Sequence, residues 1–360
     1  ESVAWVSERK DVVSTLFFLG TLISYIYYRK NDVKQFYYIS IVIFIMSLLS
    51  KPIAITIPFM IILCDYILEK KNNISTFLEK IPFFLMALVF VYITMCSTHY
   101  ADNISYGYNS ILIPSYALVF YMVKLFLPVH LSAIYPYPTN IFTFKFLISP
   151  LIIIISFFIL IYLRNRRKII FAFTFFFINL LPVLQIVPNT CAVAADRYVY
   201  IPSIGIFYLV GEFFLWIYSL KNSPVIKIMS GVVLITIILI LSYLTYHRCG
   251  VWKDNFTLWN DVLSQYPYIL QAYVNRGDAY KKIGEHEKAI ADLNQALNID
   301  PRRAEVYATR GSIYMEIKEY DKSMADLNYA LKLKSDLPAA YINRGNLYRL
   351  KGDYNKAISD

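Results

Sequence analysis

The sequence predicts an all-α chain in which a polytopic bundle of membrane helices precedes an α-solenoid. Three observations carry that prediction. Hydrophobic residues make up 58% of the 360 and charged residues only 17%, with a mean hydropathy of +0.48, where a soluble domain holds about 45–50% apolar and about 25% charged residues. Charge is unevenly placed. Residues 248–360 hold 17 Lys/Arg and 15 Asp/Glu, a net of +2, so +8 of the chain's +10 falls on residues 1–247. The last part of the chain, 269–360, repeats with a period of 34.

A membrane-spanning helix needs roughly 17–25 mostly apolar residues. Candidates are 12–28, 36–68, 81–97, 111–129, 146–163, 169–187, 201–220 and 226–246. The second run is too long for one ordinary crossing and contains Lys51 and Pro52 in "SKPIAITIP". Proline disfavours helix in the residue before it, so a tight hairpin of two short helices is predicted, with Lys51 near its tip. Basic loops at 29–34, 69–80 and 164–168 ("RNRRK"), with a milder one at 221–227, mark the cytoplasmic side. All four share that side if 111–129, which holds Pro114, Lys124 and Pro128, does not cross fully. About eight crossings follow. Residues 1–11, Lys51, the stretch 97–145 and the "ADRY" gap at 195–198 then face the other side, where the chain after His247 also emerges. Tyrosines cluster at segment ends, as interfacial belts do. The basic balance therefore marks loops beside a lipid bilayer and no nucleic-acid face.

Residues 248–268 read as a linker and packing helix. Beyond them "AYVNRGDAYKKIGEHEKAIADLNQALNIDP" aligns with "VYATRGSIYMEIKEYDKSMADLNYALKLKS" and then with "AYINRGNLYRLKGDYNKAISD". Tyr273, Tyr307 and Tyr341 stay in step, as do Gly277, Gly311 and Gly345. This is the pattern of the tetratricopeptide repeat, two antiparallel helices per unit with small residues where they pack closely. Two units are full and the third is truncated; at least three complete repeats are usual for stability, so continuation past Asp360 is expected. Such arrays form concave grooves for extended polypeptides or partner proteins. First helices near 271–282, 305–316 and 339–350 place Asn275, Thr309 and Asn343 toward the groove. A side-chain amide both donates and accepts and can pair with any peptide backbone; a solvated helix residue is the alternative reading.

Five strings in fixed order then suggest a family. "ESVAWVSERKDV" (1–12), "SKPIAITIPF" (50–59), "ADRYVYIPSIGIF" (195–207), "VWKDNFTLWNDVL" (251–263) and the trailing repeats resemble bacterial relatives of the transmembrane and tetratricopeptide-repeat (TMTC) O-mannosyltransferases. The resemblance implies a GT-C-type membrane glycosyltransferase with a polyprenyl-phosphate-linked sugar as donor and a protein acceptor on the non-cytoplasmic face. It implies no certain cofactor besides that donor substrate. It also places the family's catalytic acid N-terminal to this chain, so the catalytic residue is unassigned here. Glu1 matches a glutamate at the end of that external loop and is held as a supporting residue.

Transfer from a lipid phosphate needs a carboxylate to take the acceptor's proton and cations to hold the departing phosphate. Arginine suits the latter, because its fork meets phosphate oxygens bidentately and keeps its charge. Arg197 and Lys51 are accordingly the candidate donor-phosphate ligands, with Asp196 as support. The plainer alternatives are an ion pair fixing the "ADRY" loop and a snorkelling Lys51. Glu8, Arg9 and Lys10 read most simply as a charged juxtamembrane turn. The four histidines have no metal-ligand spacing and no metal is expected. A membrane-anchored repeat scaffold without catalysis is the competing reading. A transporter would want charges deep in several helices, and Glu212 is its main candidate.

Overall fold

Apolar runs become helices here; the long run at 36–68 breaks at Lys51 and Pro52, whereas Pro150 is carried inside a continuous helix. The structure, a computed structural model, describes residues 8–69, 73–97, 111–138, 140–184, 192–220 and 224–360. It divides into two compact units, Glu1–Thr245 and Tyr246–Asp360. In the first, α1 (Arg9–Asn31), α2 (Lys34–Ser50), α3 (Ile57–Ile67), α4 (Ile74–Leu78) and α5 (Ile81–Ser97) are followed by α6 (Leu112–Phe126) and α7 (Phe144–Tyr162). Then come α8 (Arg167–Leu180), α9 (Ser203–Ser219) and α10 (Pro224–Val251), the last running across the unit boundary. Among the described residues four helical stretches are long and apolar enough to cross a membrane: Arg9–Asn31, Thr76–Cys96, Phe144–Tyr162 and Pro224–Val251. Lys34–Ser50, Pro52–Ile67, Leu112–Phe126 and Ser203–Ser219 are apolar but shorter.

The expected interruption falls at Lys51, whose backbone is extended (φ −159°, ψ 134°), and a 3-10 turn at Pro52–Thr56 leads into α3. The two helices do not form a tight hairpin; each packs on α1 instead. Phe18 and Tyr25 of α1, Phe44 of α2, Ile57 and Ile61 of α3 and Phe83 of α5 are fully buried there. Between lipid-embedded helices, small residues and hydrogen bonds replace the hydrophobic effect as the packing force. Ser47 Oγ accordingly donates to the Ser14 carbonyl at 3.0 Å where α1 and α2 meet. Gly205 does the same service between α9 and α8: a Cβ there would sit 2.5 Å from the Ala172 carbonyl oxygen. Among the described residues one short strand pair departs from the all-helical plan. Tyr135–Pro136 (β1) pairs antiparallel with Ala192–Ala194 (β2), Tyr135 opposite Ala194.

In the second unit, α11 (Asn255–Gln265) opens on a capping box between Asp254 and Thr257. The hairpins follow: α12 (Leu270–Lys282) with α13 (His286–Ile299), α14 (Ala304–Glu316) with α15 (Tyr320–Leu333), and α16 (Pro338–Leu350) with α17 (Tyr354–Ser359). Each first helix lies within one residue of the sequence expectation. The glycines stand where the paired helices come closest; a Cβ on Gly311 would be 3.0 Å from Leu327 Cγ. A polar ladder locks every unit. Arg276, Arg310 and Arg344 each make a two-nitrogen contact to Asp292, Asp326 and Asp360, at 2.5–2.8 Å. Their third donor goes to Asn260, Asn294 and Asn328 of the preceding helix. Asn260 belongs to α11 and stands 34 residues before Asn294, so that helix meets α12 as the second helix of each hairpin meets the next first helix.

Candidate functional site

The site is built on the first turn of α1. Glu8 is its N-cap residue, Asp11 lies in its first turn, and both are buried (6% and 4% exposed). Carboxylates at this end are favoured by the helix dipole, but burial still demands partners. Lys51 supplies them from the break between α2 and the 3-10 turn. Its ammonium is paired with Asp11 and lies 3.6 Å from Glu8 Oε2. Arg197 arrives from the turn before α9, with Nε 3.7 Å from Glu8 Oε1, and the exposed Lys10 lies 3.8 Å from the same oxygen. Glu8 thus joins two cations from segments far apart in sequence. Both distances exceed hydrogen-bond range, and Glu8 Oε2 accepts no hydrogen bond among the described residues.

The β1–β2 ladder sets the "ADRY" backbone, and two tyrosines pin it. Tyr121, fully buried on α6, accepts from the Ala195 amide at 3.1 Å. The Tyr135 hydroxyl accepts from the Ser132 amide (2.9 Å) and donates to Asp196 Oδ1 (2.8 Å). A 3-10 turn over Asp196–Val199 then sends the two neighbouring charges to different partners, Asp196 to Tyr135 and Arg197 to Glu8. The Tyr198 ring lies under both cations, 5.0 Å from the Arg197 guanidinium carbon and 5.9 Å from Lys51 Nζ. Neither cation is solvated freely: their side chains are 19% and 16% exposed.

Of the residues expected from sequence, Lys51 and Arg197 come together at Glu8 and Asp196 turns to Tyr135, whereas Glu1 lies outside the described residues. Lys51 is paired with Asp11, and its side chain is mostly buried. The sequence reads Glu8 with Arg9 and Lys10 as a charged turn, gives Asp11 no role, and reads Tyr135 as part of an aromatic belt. The signal for the acids was their i, i+3 spacing, which puts both on one helix face. Nothing local in sequence marked Tyr135. Lys124, in the last turn of α6, donates to the carbonyls of Val129 and His130 in the segment that follows. Glu212 is paired with Lys168 at 2.5 Å. Among the described residues no group of three or more His, Cys, Asp or Glu is placed to hold a metal ion.

In the repeat unit, Thr309 and Asn343 line a cavity of about 280 Å³, while Asn275 is not among its lining residues and accepts from Gln271 on its own helix (2.9 Å).

Comparison with known proteins agrees with this two-part plan. Residues 277–317 and 311–352 match the model of the tetratricopeptide (TPR) repeat. The chain is 27% identical over 321 residues to Protein O-mannosyl-transferase F38B6.6 of Caenorhabditis elegans, covering 84% of this chain and 44% of that protein. It is 31% identical over 109 residues to Protein O-mannosyl-transferase TMTC3 of Mus musculus, covering 30% of this chain and 12% of that protein. The chain thus spans less than half the length of these curated relatives. Among solved structures, MamA is 28% identical, with 28% of this chain and 60% of MamA covered at a TM-score of 0.27. A tetratricopeptide repeat protein from Parabacteroides merdae is 18% identical, with 44% and 59% covered at 0.28.

Proposed function

From a chain that is a TMTC-like relative of O-mannosyl-transferases, we propose a multi-pass membrane glycosyltransferase acting on the non-cytoplasmic face. The donor is a sugar on a polyprenyl phosphate, the acceptor a protein hydroxyl, and the repeats hold the acceptor polypeptide. The observation that carries this reading is the meeting of Arg197 and Lys51 at the buried Glu8. A mere anchor has no use for such a cluster, whose desolvation costs several kcal/mol per ion, on the order of what its pairing returns.

In the transfer step the acceptor oxygen bonds to the sugar's anomeric carbon as the bond from that carbon to the phosphate oxygen breaks. The electron pair stays on the lipid phosphate, and the acceptor's proton passes to a carboxylate. Arg197 is taken as the stronger phosphate ligand of the two cations, because its planar fork meets phosphate oxygens bidentately and keeps its charge, whereas the Lys51 ammonium is paired with Asp11. In this reading Glu8 aims the guanidinium, and Asp196, fixed by Tyr135, orients the loop that carries it. Lys51 adds positive potential from behind Asp11. The proton acceptor is the family acid expected N-terminal to Glu1.

The test is sugar transfer from radiolabelled polyprenyl-phosphate donors to membrane protein by the full-length enzyme and its Arg197→Ala and Lys51→Ala variants, each checked for insertion. Arg197→Ala loses tenfold or more, about 1.4 kcal/mol of transition-state stabilisation, and Lys51→Ala loses less. Undiminished transfer by a well-inserted Arg197→Ala reduces the cluster to a structural clamp. Failure of the full-length protein with every donor favours a membrane-anchored scaffold.

A further inference from the structure

Beside the polypeptide-binding role given to the repeats stands a feature which that role alone does not explain. The cavity lies between the first helices of three consecutive repeats, with Asp278 and Lys281 from α12, Glu305, Thr309 and Ser312 from α14, and Asn343 from α16. Its polar lining is not evenly satisfied. Lys281, the one cation among the lining residues, is committed to Ser312 Oγ (2.8 Å) and Glu316 (3.2 Å). Glu305 pairs with Lys334 at 3.2 Å, but both side chains are about half exposed, and such a pair contributes little and exchanges readily. Asn343 donates its amide to the Ala308 carbonyl at 3.3 Å, and its own side-chain oxygen accepts nothing among the described residues. Asp278 is half-buried and makes no hydrogen bond or salt bridge among the described residues.

We propose that this cavity is a subsite for a cationic side chain, lysine or arginine, of an extended polypeptide. The proposal rests on the reading that the repeats bind polypeptide, and it adds which residue they select. The chemistry is a match of inventories. Lysine's ammonium brings three donors and no acceptor; the cavity offers the Asp278 carboxylate, the Asn343 carbonyl oxygen and Glu305. At about 280 Å³ it is smaller than most drug-sized ligand pockets, which span about 300–1,000 Å³, and it suits one long side chain. An acidic side chain would meet Asp278 and Glu305. An apolar one would desolvate them without replacing their water. Burial already holds the Asp278 pKa above the ordinary aspartate value despite Lys281 and Lys282 nearby, so an incoming cation relieves a penalty the fold otherwise carries.

The experiment uses the full chain in detergent micelles and fluorescence polarisation of tetramethylrhodamine-labelled Gly/Ser/Thr peptides with lysine, arginine, norleucine or glutamate at the centre. The lysine and arginine peptides bind on the order of tenfold more tightly than norleucine, the return of one charge-assisted hydrogen-bond set, and glutamate binds weakest. Asp278→Asn reduces that preference to under about threefold, and Asp278→Lys turns it toward glutamate. The exposed Asp336→Asn, with the same change in net charge, leaves it intact. Equal binding of lysine and norleucine peptides, or a preference that survives Asp278→Asn, overturns the subsite while polypeptide binding stands. No binding of any peptide by a chain with normal helical circular dichroism overturns both.

Discussion

Replacing Lys318 by glycine stabilises the repeat unit. Residues 284, 318 and 352 are 34 apart, and each follows the first helix of its repeat in the left-handed region: Gly284 at φ +78°, Lys318 at +65° and Gly352 at +84°. The closing hydrogen bonds are the same in all three, from the next amide to the carbonyl of Tyr280 (3.0 Å), Tyr314 (2.8 Å) and Tyr348 (2.9 Å). A Cβ at Gly284 or Gly352 would meet nothing within 4 Å, so side-chain crowding is absent and only the backbone conformation matters. For an L-residue that conformation costs roughly 1–2 kcal/mol. Glycine gives back about 0.5–1 kcal/mol through its freer unfolded chain. The difference is a gain of about 0.5–1 kcal/mol for Lys318→Gly, and a loss of that size for Gly352→Lys. Amide hydrogen exchange of α14 and α15 in the full chain reads the change directly, as about two- to fivefold slower opening for Lys318→Gly. Unchanged or faster exchange would refute the reasoning, since no other contact of Lys318 is invoked.

Three further outcomes follow from named contacts. Asp65 is fully buried and accepts from Tyr25 (3.1 Å), Arg29 (2.8 Å) and Lys80 (2.7 Å); Asp65→Asn removes the carboxylate that both cations share, leaving Arg29 only Glu79 at 3.8 Å among the described residues, and costs about 3–5 kcal/mol. It is read as a lowered thermal midpoint in detergent, and a midpoint like that of the parent refutes a structural role for this buried carboxylate. Gly205→Ala drives a methyl against the Ala172 carbonyl and Phe175, costing about 1–3 kcal/mol in the same assay, whereas Gly211→Ala, with nothing within 4 Å, does not. Asp278 has a folded-state pKa raised by burial, so the folded unit holds that proton longer and its stability falls as pH rises through the carboxylate range. Asp278→Asn therefore slows amide exchange of α12 at neutral pH, an advantage that disappears below the carboxylate range; faster exchange at neutral pH contradicts it.

The two-part architecture was legible because each part rests on a local signal. Apolar runs interrupted by Pro52 end and restart helices within a few residues, and the period of 34 fixes Tyr, Gly and Arg positions without any long-range information. The candidate site was half legible. Lys51 and Arg197 stand out as charges beside apolar segments, and "ADRY" stands out as a polar gap. That Glu8 joins them was hidden, since it requires α1, the break after α2 and the loop before α9 to meet. Tyr135 was hidden for a harder reason: a tyrosine in "YPYP" gives no sign that a two-stranded ladder will aim its hydroxyl at Asp196.

By itself the sequence determined the class of every long element, the repeat register and the identity of the charges placed beside the apolar runs. These are properties of residues a few positions apart, where periodicity, propensity and desolvation cost act through the local chain. Only the tertiary structure decided which charges share a site. It gave Lys51 to Asp11, Arg197 to Glu8 and Asp196 to Tyr135, made α11 the partner of Arg276, and left Asp278 open to a cavity. Such pairings are set by where packed helices bring side chains within a few ångströms of one another, and a buried charge takes whichever partner that geometry delivers.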